Sequence, residues 1–324
     1  MTNNERIKLF TDSDLDGVSC AILGKFIFKD NIDITLCTPK DVDNVITEFI
    51  KNNEFTKYNK VFITDLCIKE TTGALIDSVN KYKFRLFDHH RSNYVNSKYD
   101  WAYIHESISG KKTCGTELLW NHFKDYYINW SDDSDYSVID QYVEFVRLWD
   151  TWEWVDSGDA GIYAKNLNTI FGILQNKRFI NNILERLIDN NYEYISDCEQ
   201  EIIDIEENRK KRYINQKMKN VRIINNCKYK IGYVFAENYI SELGNHIAKN
   251  IKDIDFAAII NADTSVVSLR AIKEANVNLG EIAKEFSPQG GGHPLSAGFV
   301  FENRRSGYMV EEIFGMHMCK LADD

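Results

Sequence analysis

The sequence predicts an α/β protein: a parallel-sheet N-terminal domain, a helical connector, and a smaller mixed-sheet α/β C-terminal domain. Three observations carry this. The first half alternates short apolar runs with amphipathic stretches, a βαβα order that implies a parallel sheet covered on both faces. A long polar stretch from Arg178 to about Asn220 then contains EQEIIDIEENRKKRYINQKMK, rich in helix formers and opposite charges but poor in apolar residues. Such a helix suits a connector better than a core element. From Val221 onward strands and helices resume. The expected divisions are therefore 1–177, 178–220 and 221–324.

The elements follow in order. Ile7–Phe10 reads as a strand and Val18–Lys29 as a helix, with Val18, Ala21, Ile22 and Phe26 along one stripe. Ile32–Cys37 is a strand, and Asp41 is placed to cap the helix carrying Val42, Val45, Ile46 and Phe49. Val61–Thr64 is a strand, Glu70–Asn80 a helix, Lys83–Phe87 a strand. Thr116–Phe123 and Val138–Trp149 read as helices, with Asp150 at the end of the second. Asp125–Ser137 and Tyr163–Gln175 fit neither pattern. In the last third, Val221–Ile224, Tyr229–Phe235, Phe256–Asn261, Val266–Ile272 and Gly298–Phe301 read as strands. Ile240–Asn250, Leu279–Phe286 and Val310–Leu321 read as helices.

Bulk composition narrows the class. Of 324 residues, 44% are hydrophobic and 27% charged, an ordinary globular mixture with ample core for two domains. No apolar run approaches the length of a membrane span, and MTNNERIKLF carries no secretory pattern. Seven cysteines without a C-x-x-C pair read as reduced thiols, so a cytoplasmic location is expected. A net charge of −10 argues against wrapping long duplex nucleic acid but leaves room for a short nucleotide.

The chemistry concentrates at strand ends. Asp12-Ser13-Asp14-Leu15-Asp16-Gly17 follows the first strand, Asp65 ends the third, and Asp88-His89-His90 ends the fourth. In an open parallel sheet, ligands bind beyond the carboxyl ends of the strands. The five carboxylates would repel one another unless cations neutralise them, which points to two divalent metal ions. Asp12, Asp14 and Asp16 alternate, so an extended or loop backbone puts them on one side. Gly17 would let the chain turn sharply into the helix. Near the C-terminus, Gly290-Gly291-Gly292 would allow amide groups to face an anion.

These motifs together resemble the DHH phosphoesterase superfamily. TDSDLDG at 11–17, Asp65 in VFITDL, DHH at 88–90, Asp150 in FVRLWDTW and GGGHPLSAGF at 290–299 occur in the order the resemblance requires. The likeness runs over nearly the whole chain. It is nearest to the small oligoribonuclease branch that degrades very short RNA to mononucleotides. It implies that Asp12, Asp14 and Asp65 hold one metal, and that Asp16, Asp65, His89 and Asp150 hold the other. Oxygen ligands with one imidazole favour Mn²⁺, with Mg²⁺ as the alternative. Hydrolysis would use a hydroxide activated between the two ions. Asp88 would orient an imidazole and His90 would meet the scissile phosphate or the leaving oxygen. Gly290, Gly291, Gly292, His293 and Arg270 would bind substrate phosphate, with the active site in a cleft between the domains. The expected partner is a short single-stranded oligonucleotide or dinucleotide. No membrane or obligate protein partner is evident, and homodimerisation stays open.

Plainer readings compete. Asp12–Gly17 could be a calcium loop, but the later EF-hand glutamate is absent. Asp150 could be an incidental helix end, Gly290–Gly292 a flexible turn, and Arg270 a surface residue paired with Glu274. His105, His122, His246 and His317 lack acidic company and are not expected as ligands. Trp149, Trp152 and Trp154 read as helix-end core, and Arg209–Arg212 as a solvated face. Other activities also fit the motifs: a cyclic or linear dinucleotide phosphodiesterase, a RecJ-like single-stranded DNA exonuclease, or a non-catalytic nucleotide sensor. Pyrophosphate is disfavoured because the related pyrophosphatases lack a GGGH motif of this kind.

Overall fold

The computed structural model describes residues 5–128, 136–191, 193–225, 228–288 and 290–301. The chain divides into two compact units, Met1–Ile203 and Asp204–Asp324.

The first unit starts with β1 (Ile7–Asp12), α1 (Leu15–Phe28), β2 (Ile32–Cys37), α2 (Val42–Lys51), β3 (Lys60–Thr64), α3 (Glu70–Ser78), β4 (Phe84–Asp88) and β5 (Ala102–Ile104). The five strands form one parallel sheet in the order β2-β1-β3-β4-β5. Strand order reverses between β1 and β3, the topological switch point where such sheets bind ligands. Alternation along the strands feeds two cores. Ile7, Leu9, Phe62 and Phe87 face α1 and later helices, whereas Phe10, Val61, Ile63, Phe84 and Leu86 face α2 and α3.

A two-stranded ribbon, β6 (Ser107–Ile108) and β7 (Lys111–Lys112), leads into α4 (Gly115–Ile128), α5 (Ser137–Asp150) and α6 (Gly158–Ile188). These cover α1, which explains one departure from expectation. Leu15, Val18, Cys20, Ala21, Ile22 and Leu23 of α1 are all buried, because the helix lies between the sheet and a second helical layer. A single stripe would have left the outer side wet. The segment 163–175 lies within α6, which is kinked at Gln175 (φ 61°). β5 and the β6–β7 ribbon were not expected; their two or three residues are too few to show a period.

The long polar helix expected over 178–220 is two helices. α6 stops at Ile188, Asn190 takes a left-handed φ of 51°, and α7 runs Asp197–Met218. Ser196 and Glu199 cap α7 reciprocally. The Ser196 N–H donates to Glu199 Oε2 at 2.8 Å and the Glu199 N–H to Ser196 Oγ at 3.4 Å. Arg186 of α6 clamps Glu199 at 2.6 Å. The sequence signals were Asp189-Asn190-Asn191 and S-x-x-E at 196–199. Asp41 also differs from expectation. It makes no side-chain cap to α2 and instead accepts from the Thr38 N–H at 2.6 Å, closing the preceding turn.

The second unit contains β8 (Arg222–Ile224), β9 (Ile231–Phe235), α8 (Ile240–Asn250), β10 (Phe256–Asn261), β11 (Val266–Arg270), α9 (Leu279–Phe286), β12 (Gly291–His293) and β13 (Ser296–Val300). Its mixed sheet has the order β12-β13-β11-β10-β9-β8, with only β9 and β10 parallel. Gly291–His293 of the glycine motif thus form an edge strand, not the flexible turn of the plainer reading. The helix expected over 310–321 lies outside the described residues.

Candidate metal centre

Register builds the site. Thr11 of β1 pairs with Thr64 of β3, and Thr64 pairs with Phe87 of β4. The next residues, Asp12, Asp65 and Asp88, therefore leave the sheet at one level. Asp65 turns away at once with a left-handed φ of 53°, which aspartate tolerates better than most residues. Its N–H still donates to Phe87 O at 2.9 Å, holding the turn.

Asp14 caps α1 by accepting from the Gly17 N–H at 3.0 Å, and Asp16 follows in the first turn. Gly17 lies within α1, not at a sharp turn. A Cβ there would meet Asp12 O at 2.3 Å and Asp12 N at 2.6 Å, so what it supplies is close approach of helix to strand. Asp16 is buried and accepts twice from the start of α4, from Gly115 N–H at 2.6 Å and Thr116 N–H at 2.8 Å. A helix N-terminus stabilises a carboxylate in this way. Gly115 is required as well, since its Cβ would lie 2.7 Å from Asp65 Cβ.

His89 Nε2 lies 3.3 Å from Asp65 Oδ1, 3.5 Å from Asp150 Oδ2 and 4.0 Å from Asp16 Oδ2. Asp150 arrives from the last residue of α5. Arg147, one turn earlier, ties that helix end to Glu144 (2.7 Å), Glu153 (2.6 Å) and the Lys112 carbonyl (3.0 Å). Asp88 serves the other histidine. Its Oδ1 is 2.8 Å from His90 Nδ1, and its Oδ2 accepts from Asn93 Nδ2 at 2.7 Å. Asn96 Nδ2 donates to Asn93 Oδ1 at 2.8 Å, completing a buried relay.

The electrostatics are those of an uncompensated acidic cluster. Burial, then the charges of Asp16, Asp14 and Asp150, pushes Asp65 well above the carboxylate range. Burial, then Asp16 and Asp14, does the same to Asp150. Burial and Asp16 raise Asp14 to about 6. Burial also raises Asp12, partly offset by hydrogen bonds from Ser13. For His89, burial outweighs the nearby carboxylates and favours the neutral ring that can ligate a metal. Asp88 is held below the usual range: burial alone would raise it, but the bonds to His90 and Asn93 prevail. Burial would lower His90, yet its bond to Asp88 carries it up to about 9.

The donor set fits a divalent cation. Asp65 Oδ2, Asp150 Oδ2 and His89 Nε2 are buried and have no hydrogen-bond partner. Buried polar atoms without partners are costly and need an explanation. A cation among them supplies it and relieves the mutual repulsion. Among the described residues, two groups bring ligand atoms within 4.8 Å of one another: Asp16, His89 and Asp150, and Asp65, Asp88, His89 and His90. Neither group contains Asp12 or Asp14. Asp12 Oδ1 accepts from the Ser13 N–H at 2.5 Å, and Asp14 faces Gly17. Sequence reasoning passed over Gly115, Thr116, Asn93, Asn96 and Arg147. Gly115-Thr116 ahead of an apolar helix was the readable signal; the others depend on contacts far apart in sequence.

In the second unit, Gly290 and Gly292 are accounted for by packing. A Cβ on Gly290 would meet Ala283 O at 2.2 Å, and one on Gly292 (φ 141°) would meet Ala297 Cα at 2.5 Å. Only Gly291 of the three faces open space. His293 is exposed. Arg270 does not pair with Glu274. Its guanidinium donates to Ser241 Oγ and to Leu269 O, each at 2.8 Å, and burial lowers its pKa. In the run Arg209–Arg212, Lys210 meets Glu207 and Glu242 at 2.9 and 3.1 Å, while Arg209, Lys211 and Arg212 are exposed, as a solvated face requires.

A five-stranded parallel sheet whose strand ends carry this acid–imidazole set, followed by a mixed-sheet unit bearing a glycine strand, fits the architecture that the DHH resemblance implies. No family model matches the chain. It is 29% identical over 313 residues to oligoribonuclease NrnB of Bacillus subtilis, spanning 94% of this chain and 75% of that protein. Two RecJ structures share its fold. Exonuclease RecJ bound to manganese superposes with a TM-score of 0.54 at 13% identity, over 96% of this chain and 89% of that one. RecJ of Thermus thermophilus with Mn²⁺ gives 0.56 at 11% identity, over 96% of this chain and 52% of that one. The chain is thus similar to an oligoribonuclease in sequence and to RecJ in fold.

Proposed function

We propose that the chain is a divalent-metal-dependent phosphodiesterase that hydrolyses short oligonucleotides to mononucleotides, with Mn²⁺ as its preferred ion. The observation that carries this is the trio of partnerless buried atoms, Asp65 Oδ2, His89 Nε2 and Asp150 Oδ2, brought together from three elements. The similarity to oligoribonuclease NrnB supports the substrate class. Asp16, Asp65, His89 and Asp150 would hold the metal, with Asp12 and Asp14 available beside them for a second ion. Bound divalent ions would neutralise phosphate charge and activate water for attack.

The chain's own groups do the rest. Asp88 fixes the His90 ring through Nδ1, leaving Nε2 to meet a phosphate or leaving oxygen. The bond to Asp88 works against burial and favours a protonated ring, which can donate there. Asn93 and Asn96 hold Asp88 in place from behind. In the second unit, Arg270, His293 and the amide of Gly291 would bind a further substrate phosphate.

The test is a panel assayed with Mn²⁺, with Mg²⁺ and with chelator: pApA, RNA of two to twenty-four nucleotides, matching DNA, cyclic dinucleotides and bis-p-nitrophenyl phosphate. Metal-dependent cleavage fastest on the shortest RNA is expected. Preference for DNA or a cyclic dinucleotide would replace the substrate, and tight binding without turnover of any member would defeat the enzyme reading.

A further inference from the structure

The end of α5 carries an unusual residue choice. The helix stops at Asp150, Thr151 follows, and Trp152 takes the left-handed conformation (φ 64°, ψ 11°), its N–H donating to Trp149 O at 3.2 Å. That position after a helix normally holds glycine, sometimes asparagine, because a side chain there is strained. Here it holds the largest side chain available. Burial does not account for it, since Trp152 is 52% exposed. Its ring lies against Trp149 (centroids 6.2 Å apart, planes 25°) and Trp154 (6.0 Å, 39°), and those two stack on each other at 5.4 Å and pack against the core. The expectation that all three tryptophans are core thus holds for the inner two only. Trp152 is the outer layer of a rigid aromatic stack, two residues beyond Asp150, whose Oδ2 is 3.5 Å from His89.

We propose that Trp152 is a stacking platform for a nucleobase of the substrate, a subsite beside the metal centre. Resting on the reading of the chain as an oligonucleotide phosphodiesterase, it adds that the enzyme grips a base as well as phosphate. An exposed, preorganised indole is suited to this, because every base has a π-face and grip comes without sequence preference.

The test measures affinity, not turnover, with the Mn²⁺-loaded protein and two probes, AMP and base-free ribose 5-phosphate. Trp152→Gly removes the ring while suiting the left-handed backbone, so circular dichroism and melting should show an intact fold; Trp152→Phe keeps a smaller ring. AMP is expected to bind Trp152→Gly about tenfold more weakly than wild type, and Trp152→Phe within about threefold. Ribose 5-phosphate should bind all three alike. Unchanged AMP affinity in Trp152→Gly overturns the proposal, as does an equal loss for both probes, which would mean a displaced Asp150. If wild type cleaves no oligonucleotide yet AMP binds through Trp152, the stacking site stands and the enzyme reading falls.

Discussion

The acidic centre of the first unit and the glycine strand of the second both stand out as motifs, but the fold accounts for them to very different degrees. Around Asp65 the fold leaves several side chains unsatisfied. Three buried polar atoms lack partners, Asp65 is left-handed, and burial opposes the ionised carboxylates. Each unsatisfied buried group costs about 1–3 kcal/mol. In the second unit, Gly290 and Gly292 are demanded by Ala283 and Ala297, and Arg270 is held by Ser241 and a carbonyl. A motif that the fold leaves unsatisfied points to something outside the chain. A motif satisfied internally needs a direct binding test before it can be given a ligand.

The largest effect should come from Asp65, the residue proposed to bridge the two ions. Asp65→Asn keeps a side chain that tolerates a left-handed backbone but removes the charge. It is expected to lower kcat/KM by about 10³-fold or more and to lose both ions by metal analysis. The metal-free variant should melt higher than metal-free wild type at pH 8, since a buried repulsion is gone. Asp12→Ala should weaken one ion only. Two tightly bound ions in Asp65→Asn would remove the contrast between the regions.

The tandem histidines sharpen the same point. His89→Ala should lose metal, because Nε2 faces three carboxylates. His90→Ala should retain metal and lose about 10²–10⁴ in kcat with little change in KM. Equal metal loss in both would put Asp88 and His90 among the ligands.

Acid pH should favour the metal-free fold. For Asp65 and Asp150 the folded pKa is raised, so their ionisation penalises the native state as pH climbs from about 4 through the raised values. His90 acts in the same direction. Its stabilising bond is fully present below its unfolded pKa near 6.5 and fades as pH rises through about 9. Asp88 opposes them only in stronger acid, where its lowered pKa makes it a loss as pH falls, and His89, kept neutral by burial, opposes them below its unfolded pKa near 6.5. Melting temperature without metal should therefore fall between about pH 6.5 and 9, and saturating Mn²⁺ should flatten the slope. A metal-free protein whose stability rises over that range would mean the cluster is not buried as described.

Legibility followed the same division. Asp12, Asp65 and Asp88-His89-His90 were readable because each ends an apolar strand, and a parallel register brings strand ends together. Asp150 was readable only in company, since nothing local distinguishes it from any helix-end aspartate. Gly17 was noticed for the wrong reason: its role is clearance from Asp12, a contact across the β1–α1 turn. Asn93, Asn96 and Arg147 act through partners that no periodicity reveals. The break between α6 and α7 was written in Asn190-Asn191 and in the Ser196–Glu199 box, but charge patterning alone reads straight through both.

On the second unit the effects should be smaller. Arg270→Ala and His293→Ala are each expected to raise KM for pApA about tenfold, while bis-p-nitrophenyl phosphate is hardly affected. Arg270→Ala also strands Ser241, so Arg270→Lys is the gentler comparison. If His293→Ala slows both substrates alike, the second unit takes part in chemistry and not in grip alone.

The smallest expected change tests the glycine strand itself. Gly290→Ala drives a Cβ to 2.2 Å from the Ala283 carbonyl, so β12 must shift from α9; a loss of about 1–3 kcal/mol is expected. Gly291→Ala meets nothing within 4 Å and has no left-handed backbone to strain, so its stability should stay within about 0.5 kcal/mol of wild type. That makes Gly291 the one position of the three where a binding defect can be separated from a folding defect. If the strand cradles a phosphate through its amides, the added methyl intrudes between backbone and anion, and KM for pApA rises with Tm unchanged. If KM and Tm both stay at wild type, the glycine run is a packing device, and the second unit's hold on substrate rests on Arg270 and His293.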